Sequence, residues 1–539
     1  MTTSRTKSEA TFTALAPLRE PVYRALWIAT VASNIGTWMQ DVGAAWLMTT
    51  LAPSPMMVAL VRAASSFPVF LLALPAGALA DVVDRRVLLI VTQSWMLAAA
   101  GALGLLTLAG LTTPWLLLTL TFLLGLGTSL NAPAWQAIIP ELVTREQVTN
   151  AISLNSISIN LARSVGPAIG GLVIALAGTG WTFVLNAVSF CGVILVLYRW
   201  RRQHRESVLP AERVWSAIRA GLRYVRHAPA VQAVLVRSGT FVLFGSALWA
   251  LLPSLARFGL GRGPAGYGIL LGFFGIGAVM GAALLQRWRA KIPINRFVRL
   301  AVALFVLSLL LLAWARAPGV AEFLLFIAGA AWLILLSTFN SSIQALVPAW
   351  VRGRALAVSI LVFFGGMVLG SALWGYVAEL FGLKAALVMA ATGGMVTAVF
   401  TRRYRLHSGE GIDLTPSVHW PAPQAMPEPE PEAEQGPVVV TVEYRIDPAT
   451  WHEFARAMQH VRRIRRRDGA MNWGLLRDVA EAGHYTEIFV VESWLEHLRQ
   501  HERVTVADRG VLEKARAFHV DTVPPLVSHY IVEQHAVKK

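Results

Sequence analysis

Charge is scarce in this chain of 539 residues, and thiol chemistry is almost absent. Charged residues make up 14% of it, against ~25% in an average soluble domain, and Cys191 is the one cysteine. A lone cysteine forms no internal disulfide, which excludes a disulfide-stapled scaffold; lying in an apolar run, Cys191 is expected to be a packing residue. Residues 1–20 carry Arg5, Lys7, Glu9 and Arg19 but lack an apolar core and a small-residue cleavage site, so they read as a tail and not a signal peptide. The net charge of +16 is not gathered on one basic face. Lys and Arg fall in short clusters between apolar runs, a topogenic pattern that argues against nucleic acid as a partner. What is abundant is hydrophobic surface: 55% of residues, with a mean hydropathy of +0.55.

That hydrophobic sequence repeats. Gly166, Gly171, Gly178 and Ala151 recur as Gly370, Gly375, Gly382 and Ala355, each 204 positions later (370 − 166 = 204). Gln136, Ala137 and Pro140 recur as Gln344, Ala345 and Pro348, at 208 (344 − 136 = 208). A solenoid repeats every ~20–50 residues, so a period this long marks a duplicated domain. Apolar stretches long enough to cross a bilayer as helix lie near 23–50, 56–80, 87–110, 115–139, 148–177 and 181–199. A second set lies near 236–257, 265–286, 297–315, 320–346, 355–379 and 384–400. The expected fold is therefore an all-α membrane protein of twelve transmembrane helices in two parallel six-helix halves. Arg85 and Arg86, Arg145, Arg199 to Arg226, Arg287 to Arg299, Arg352 with Arg354, and Arg402 to Arg405 occupy alternate connections. The positive-inside rule then places both termini in the cytoplasm of a multi-pass protein of the bacterial inner membrane.

The expected domains are an N-terminal tail (1–20), a first half (21–200), a cytoplasmic linker (201–232), a second half (233–405), a Pro/Glu-rich disordered linker (406–436) and a cytoplasmic α+β domain (437–539). In the first linker, Val214, Ile218, Leu222 and Val225 fall at helical spacing among arginines. That suits an amphipathic helix on an anionic inner leaflet, and equally an ordinary linker helix.

Three ionisable residues fall well inside the apolar spans: Asp41, Arg62 and Arg163. Each costs ~2.5–3.5 kcal/mol at a helix centre, so each needs a partner or a wet cavity. Asp41 lies ~25 Å up the first span and Arg62 ~28 Å above the inner end of the second, at ~1.5 Å per residue, so the two can pair. Two readings fit the pair: a bridge that fixes helix packing, or a carboxyl that exchanges a proton with Arg62 tuning it. Arg163 lies ~22 Å into the fifth span without an evident charged partner. Asn34, Trp38, Gln40, Asn131, Asn160 and, in the second half, Asn340 are candidate lining of a substrate cavity.

Two signatures stand at helix ends. Gly77, Asp81, Asp84, Arg85 and Arg86 follow the second span, where glycine permits close helix approach and a carboxylate can bind an arginine or a helix amino end. In the fifth span, Gly166, Pro167, Gly170 and Gly171 put small residues and a proline where helices pack tightly. With the doubled layout, these residues resemble the major facilitator superfamily over about residues 20–405. The first set is similar to its loop motif, with Val82 in place of a basic residue and Asp84 in place of glycine. The second is similar to its exporter and antiporter motif, with Leu154 and Ala162 in place of the upstream glycines. The Asp-Arg-Arg variant and long tail resemble the branch holding the enterobactin exporter and related transmembrane secretion effectors. The resemblance implies a transporter and not an enzyme: proton-coupled export of small amphipathic molecules such as drugs or siderophores, by alternating access.

The tail reads as a small domain in the order βαββαβ, the ferredoxin-like plan. It resembles dimeric α+β barrels of the antibiotic-biosynthesis monooxygenase type, which implies self-association and leaves open a fused carrier-enzyme; a non-transporting sensor or scaffold is the other alternative. His497 and His501, four apart, have metal-ligand spacing but no third ligand is evident, so no metal and no cofactor is expected. Asn472, Trp473 and Trp494 fit either the lining of a small-molecule pocket or core and dimer packing, and packing is the expected role.

Overall fold

A computed structural model describes residues 15–73, 75–200, 214–288, 291–317, 319–407, 409, 413–417 and 435–532; among these, the side chains of 78, 80–82, 214–218 and 286 are not described. The side chain of Asp81, parts of the two expected linkers and most of the N-terminal tail thus lie outside the described residues.

Proline opens and glycine closes many of the long helices, as missing donors and left-handed backbone favour. The first stretch comprises α1 (Pro21–Leu51), α2 (Pro55–Leu72), α3 (Pro75–Val82), α4 (Arg85–Leu108), α5 (Pro114–Leu142), α6 (Val148–Ala177) and α7 (Thr179–Arg199). The second comprises α8 (Val214–His227), α9 (Pro229–Ser254), α10 (Pro264–Trp288), α11 (Ile294–Leu312), α12 (Val320–Leu346) and α13 (Ala349–Phe400). Ser54, Asp84 and Thr113 cap α2, α4 and α5 through their side-chain oxygens. Among the described residues, ten helices are long and apolar enough to cross a membrane. α13 is two helices broken at Gly382, while α1 has 31 residues but carries Arg24 and Asp41 and falls below that hydropathy.

The chain divides into two compact units. The first comprises Met1–Glu212, Leu235–Phe339 and Ser359–Tyr404; the second comprises Arg213–Val234, Asn340–Val358 and Arg405–Lys539.

Within the first unit the duplication is visible as matched glycine contacts. A Cβ on Gly166 would stand 2.6 Å from Trp38 Cβ of α1, and one on Gly370 would meet Ser246 of α9. A Cβ on Gly171 would stand 2.8 Å from Gly268 Cα of α10, and one on Gly375 would stand 2.6 Å from Ala59 Cβ of α2. Gly178 (φ +91°) ends α6 and Gly382 (φ +84°) breaks α13, both in the left-handed region that glycine favours. Each repeated glycine therefore performs the same task in each copy. Two expectations fail here. A Cβ on Gly77 would meet nothing among the described residues, so no close approach there requires that glycine. Cys191 is exposed on α7 and is not a packing residue, since a mid-span position alone does not say which face meets other helices.

The second unit contains a four-stranded sheet: β1 (Val438–Arg445), β2 (Asn472–Arg477), β3 (His484–Val491) and β4 (Val527–Ile531), in the order β2-β3-β1-β4 and antiparallel throughout. α14 (Trp451–Asp468), α15 (Trp494–Arg503) and α16 (Val506–Arg516) complete it. Alternating Val438, Val440, Val442 and Tyr444 face a core with Phe454, Met458, Val461 and Phe489. α8 packs on this domain through Ala220, Tyr224 and Val225, while Leu222 is 46% exposed. The helix is amphipathic, but its buried face meets protein. Arg223 bonds Glu496 (2.8 Å), which also holds Arg503 (2.6 Å), and Arg503 in turn covers the Trp350 ring.

Candidate functional site

Asp41 and Arg62 meet as the two sequences permit: Arg62 Nη1 stands 3.6 Å from Asp41 Oδ2. Both line a cavity of about 200 Å³ enclosed by α1, α2, α4, α5 and α7 of the first copy and α9 and α10 of the second. Trp38 and Gln40 line it as expected. Arg62 also lies over the Trp249 ring, 5.3 Å from its centroid, so the cation is held between a carboxylate and an indole face. Gln40 accepts a bond from Asn186 Nδ2 at 2.5 Å, which fixes the amide beside Asp41.

The cavity wall carries donors without protein partners. Arg62 Nε, Trp249 Nε1 and Thr121 Oγ1 are all buried and unbonded among the described residues. Each lines the same space, and a buried donor left unmet costs about 1–3 kcal/mol. The arrangement suits an amphipathic ligand that presents acceptor oxygens to an otherwise aromatic and aliphatic wall.

The other expected residues are distributed differently. Arg163 lies beside the cavity, its guanidinium 5.7 Å from the Trp38 ring centroid, and has no ion pair among the described residues. Asn34 donates to Ser158 Oγ, Asn131 accepts from Thr92 and Gln93, and Asn160 donates to the Ser156 carbonyl. Asn340 accepts from Gln344 Nε2 in the second unit. None of these four asparagines lines the described cavity, because their short polar side chains are engaged in helix-to-helix or within-helix bonds.

In the loop motif, Asp84 caps α4, Arg85 pairs with Glu141 (2.8 Å), and Arg86 donates to the carbonyls of Leu197 and Tyr198. These bonds tie α4 to α5 and α7 inside the first copy. In the fifth-span motif, Gly166 and Gly170 admit α1, a Cβ on Gly170 falling 2.9 Å from Met39 Cα, and Gly171 admits α10.

Sequence reading missed four groups. Arg257, which stands outside the alternate basic connections, bonds Thr49 Oγ1 (3.0 Å) and Thr50 Oγ1 (2.6 Å) and covers the Trp46 ring. Glu379 accepts from Ser54 Oγ at 2.7 Å. Tyr267 stacks on Trp46 and lines the cavity. Arg237, buried near the start of α9, bonds Asn295. The first three join the two copies at the end where the Ala52–Ser54 connection lies. A lone charge at a helix end carries no mark of whether it faces water or a neighbouring copy.

The family described as "Transmembrane secretion effector" matches residues 12–537. The staphyloferrin A transporter of Staphylococcus aureus is 26% identical over 378 residues, 68% of this chain and 92% of that protein. The multidrug efflux pump Tap of Mycolicibacterium fortuitum is 27% identical over 402 residues, 70% of this chain and 95% of that protein. The enterobactin exporter of Shigella boydii serotype 18 is 26% identical, over 66% of this chain and 76% of that protein. Among solved structures, a bacterial homologue of the human lysosomal transporter Spinster, in an inward-facing conformation, aligns with a TM-score of 0.56 at 16% identity, covering 72% of this chain and 97% of that one. These relatives are transporters and not enzymes. The chain belongs to the transmembrane secretion effector family and is a multi-pass membrane transporter of the major facilitator fold.

Proposed function

We propose that this transporter exports small amphipathic, acceptor-rich molecules of siderophore or drug type in exchange for protons, and that Asp41 is the proton-exchanging group. The observation that carries the reading is the placement of the Asp41–Arg62 pair in the wall of a cavity shared by both copies. The enterobactin exporter and the efflux pump among its relatives support the direction of transport.

Twelve crossings follow when α1 is counted and α13 is divided at Gly382, and alternate basic connections then put both termini and the α+β tail in the cytoplasm. In that orientation the Arg257, Ser54–Glu379 and Gly171–Gly268 contacts form an outer gate, and the cavity serves an inward-facing state. Facing the cytoplasm, Asp41 releases its proton and binds Arg62. An acceptor-bearing substrate then occupies the donors of Arg62, Trp249 and Thr121. After the gate changes sides, substrate leaves and Asp41 is reprotonated from outside. Proton and substrate compete for one charge balance, which couples their fluxes. Arg163, over Trp38, contributes positive potential beside the path. Anionic lipids suit the basic inner connections.

The tail's strand order supports the ferredoxin-like plan, and its relation to dimeric α+β barrels makes self-association through this domain part of the reading. The test is reconstitution in proteoliposomes with a panel of lipophilic cations and catecholates. Accumulation driven by an imposed proton gradient and abolished by a protonophore is expected. Binding without movement of any probe would leave a sensor or scaffold instead.

A further inference from the structure

The tail brings together three histidines that the sequence keeps apart. His497 and His501 project from one face of α15, and His529 comes from β4, where it pairs across the sheet with Val440. Among the described residues this is the one group of three whose ligand atoms all lie within 4.8 Å of one another. The imidazole rings of His497 and His529 are 4.8 Å apart, and Trp494 forms a wall against both.

We propose that His497, His501 and His529 form a binding site for a divalent first-row transition ion, zinc or one of its neighbours. The His497 and His501 Nε2 atoms are 3.2 Å apart. One N–H···N hydrogen bond accounts for that single contact. It does not account for the third ring, nor for the His529 Nε2 atom, which is buried without a hydrogen-bond partner among the described residues. Tetrahedral coordination at ~2.0–2.1 Å from each nitrogen places neighbouring donors about 3.3 Å apart. The first pair already has this separation, and small rotations about the side-chain bonds bring in the third.

The surroundings favour a lone pair over a proton. His497 is 2% exposed, and burial, with the neighbouring histidines and Arg465, holds its pKa down at about 3; burial and Arg465 hold His501 at about 4. Both rings are therefore neutral in the cytoplasmic range, the state that binds metal. Arg465 would repel a cation, but its guanidinium is bonded to the fully buried carboxylate of Glu487 (3.1 Å), which offsets that charge. His501 and His529 remain partly exposed and give an entry path. Three neutral donors leave one position open, for water or an anionic ligand, as in zinc sites that bind exchangeable groups.

The experiment uses the full chain purified in detergent and stripped with chelator. Co²⁺ is titrated while its visible ligand-field bands are followed, and Zn²⁺ affinity is measured by competition. One equivalent per chain is expected. His497→Ala and His529→Ala should each weaken binding by more than tenfold, since loss even of an outer-shell partner costs about 10- to 100-fold. His460→Asn, on the exposed face of α14, should leave binding unchanged. Should His529→Ala fold poorly, His529→Gln replaces it, and Zn²⁺ should raise the tail's unfolding temperature in the wild type alone. Co²⁺ binding by the wild type no tighter than by the His497→Ala/His501→Ala double variant would overturn the proposal. So would a Zn²⁺ shift that persists in both His529 variants.

Discussion

Arg62 reaches Asp41 at 3.6 Å, close enough for an ion pair and too far for a good hydrogen bond. Its Nε is buried without a partner among the described residues, so the pair is incompletely satisfied in this conformation. An interaction of that kind can strengthen or break as the cavity changes sides, which suits a switch better than a fixed brace. Asp41→Asn should therefore abolish gradient-driven accumulation and flatten the pH profile of transport, while counterflow of substrate across equilibrated vesicles persists. An unchanged pH profile would return the pair to a packing role.

Gly171 and Gly268 meet backbone to backbone, with no side chain free to yield. Gly171→Val should force α6 and α10 apart at a cost of about 1–3 kcal/mol, shifting the gate equilibrium by roughly 5- to 100-fold. Labelling of a cysteine placed at Thr37, in a Cys191→Ser background, should then rise from the side of the Ala52–Ser54 connection. Gly166→Ala, which crowds α1 within one copy, should lower yield without raising that labelling.

Arg257 donates to Thr49 and Thr50 and covers Trp46. Hydrogen bonds from a charged group are worth about 1.5–3 kcal/mol, so Arg257→Ala should open the same end about 10- to 100-fold more often. Arg257→Lys should recover only part of this, because one ammonium cannot reproduce two directed bonds and the planar stacking. Spin-label distances across the gate would report it.

In the tail, Glu487 is wholly buried, bonded to Arg465 and to Trp473 Nε1. Removing one partner of such a pair strands the other charge, at roughly 3–5 kcal/mol. Glu487→Ala should lower the unfolding temperature of the tail, followed by circular dichroism on the full chain, and Glu487→Ala/Arg465→Met should restore part of the loss.

Glu496 clasps α8 to this domain through Arg223. Burial raises its pKa, but the hydrogen bond and charge of Arg503, then those of Arg223, more than offset this and hold the carboxyl below its ordinary 4.5. A depressed carboxylate pKa gives stability that is complete above the unfolded value and lost as pH falls through the folded one. The stability gap between wild type and Glu496→Gln should thus stay constant from about pH 7 to about 5.5 and close below about 4.5. A gap independent of pH would mean that Glu496 acts through shape alone.

Much of this was legible beforehand, and for identifiable reasons. The repeated glycines carry their own geometry, since a positive φ or a backbone contact leaves few alternatives to Gly178, Gly382 or Gly171. Asp41 and Arg62 could be paired because helix rise converts residue count into depth. The sequence left open what covers the apolar face of α8, because amphipathic spacing does not name its partner; Ala220, Tyr224 and Val225 are buried against protein, while Leu222 stays exposed. Arg257 and Glu379 were opaque because their partners lie in the other copy. His529 was invisible as a companion of His501 until sheet pairing folded β4 back beside α15.

The matched glycine contacts have a mechanical consequence. Where Gly171 meets Gly268, and Gly375 meets Ala59, the two copies touch through bare main chain and a methyl group. Such surfaces have no interlocking teeth to disengage. One half can roll against the other on a pair of smooth bearings, so the work of changing sides falls on the few polar latches around them.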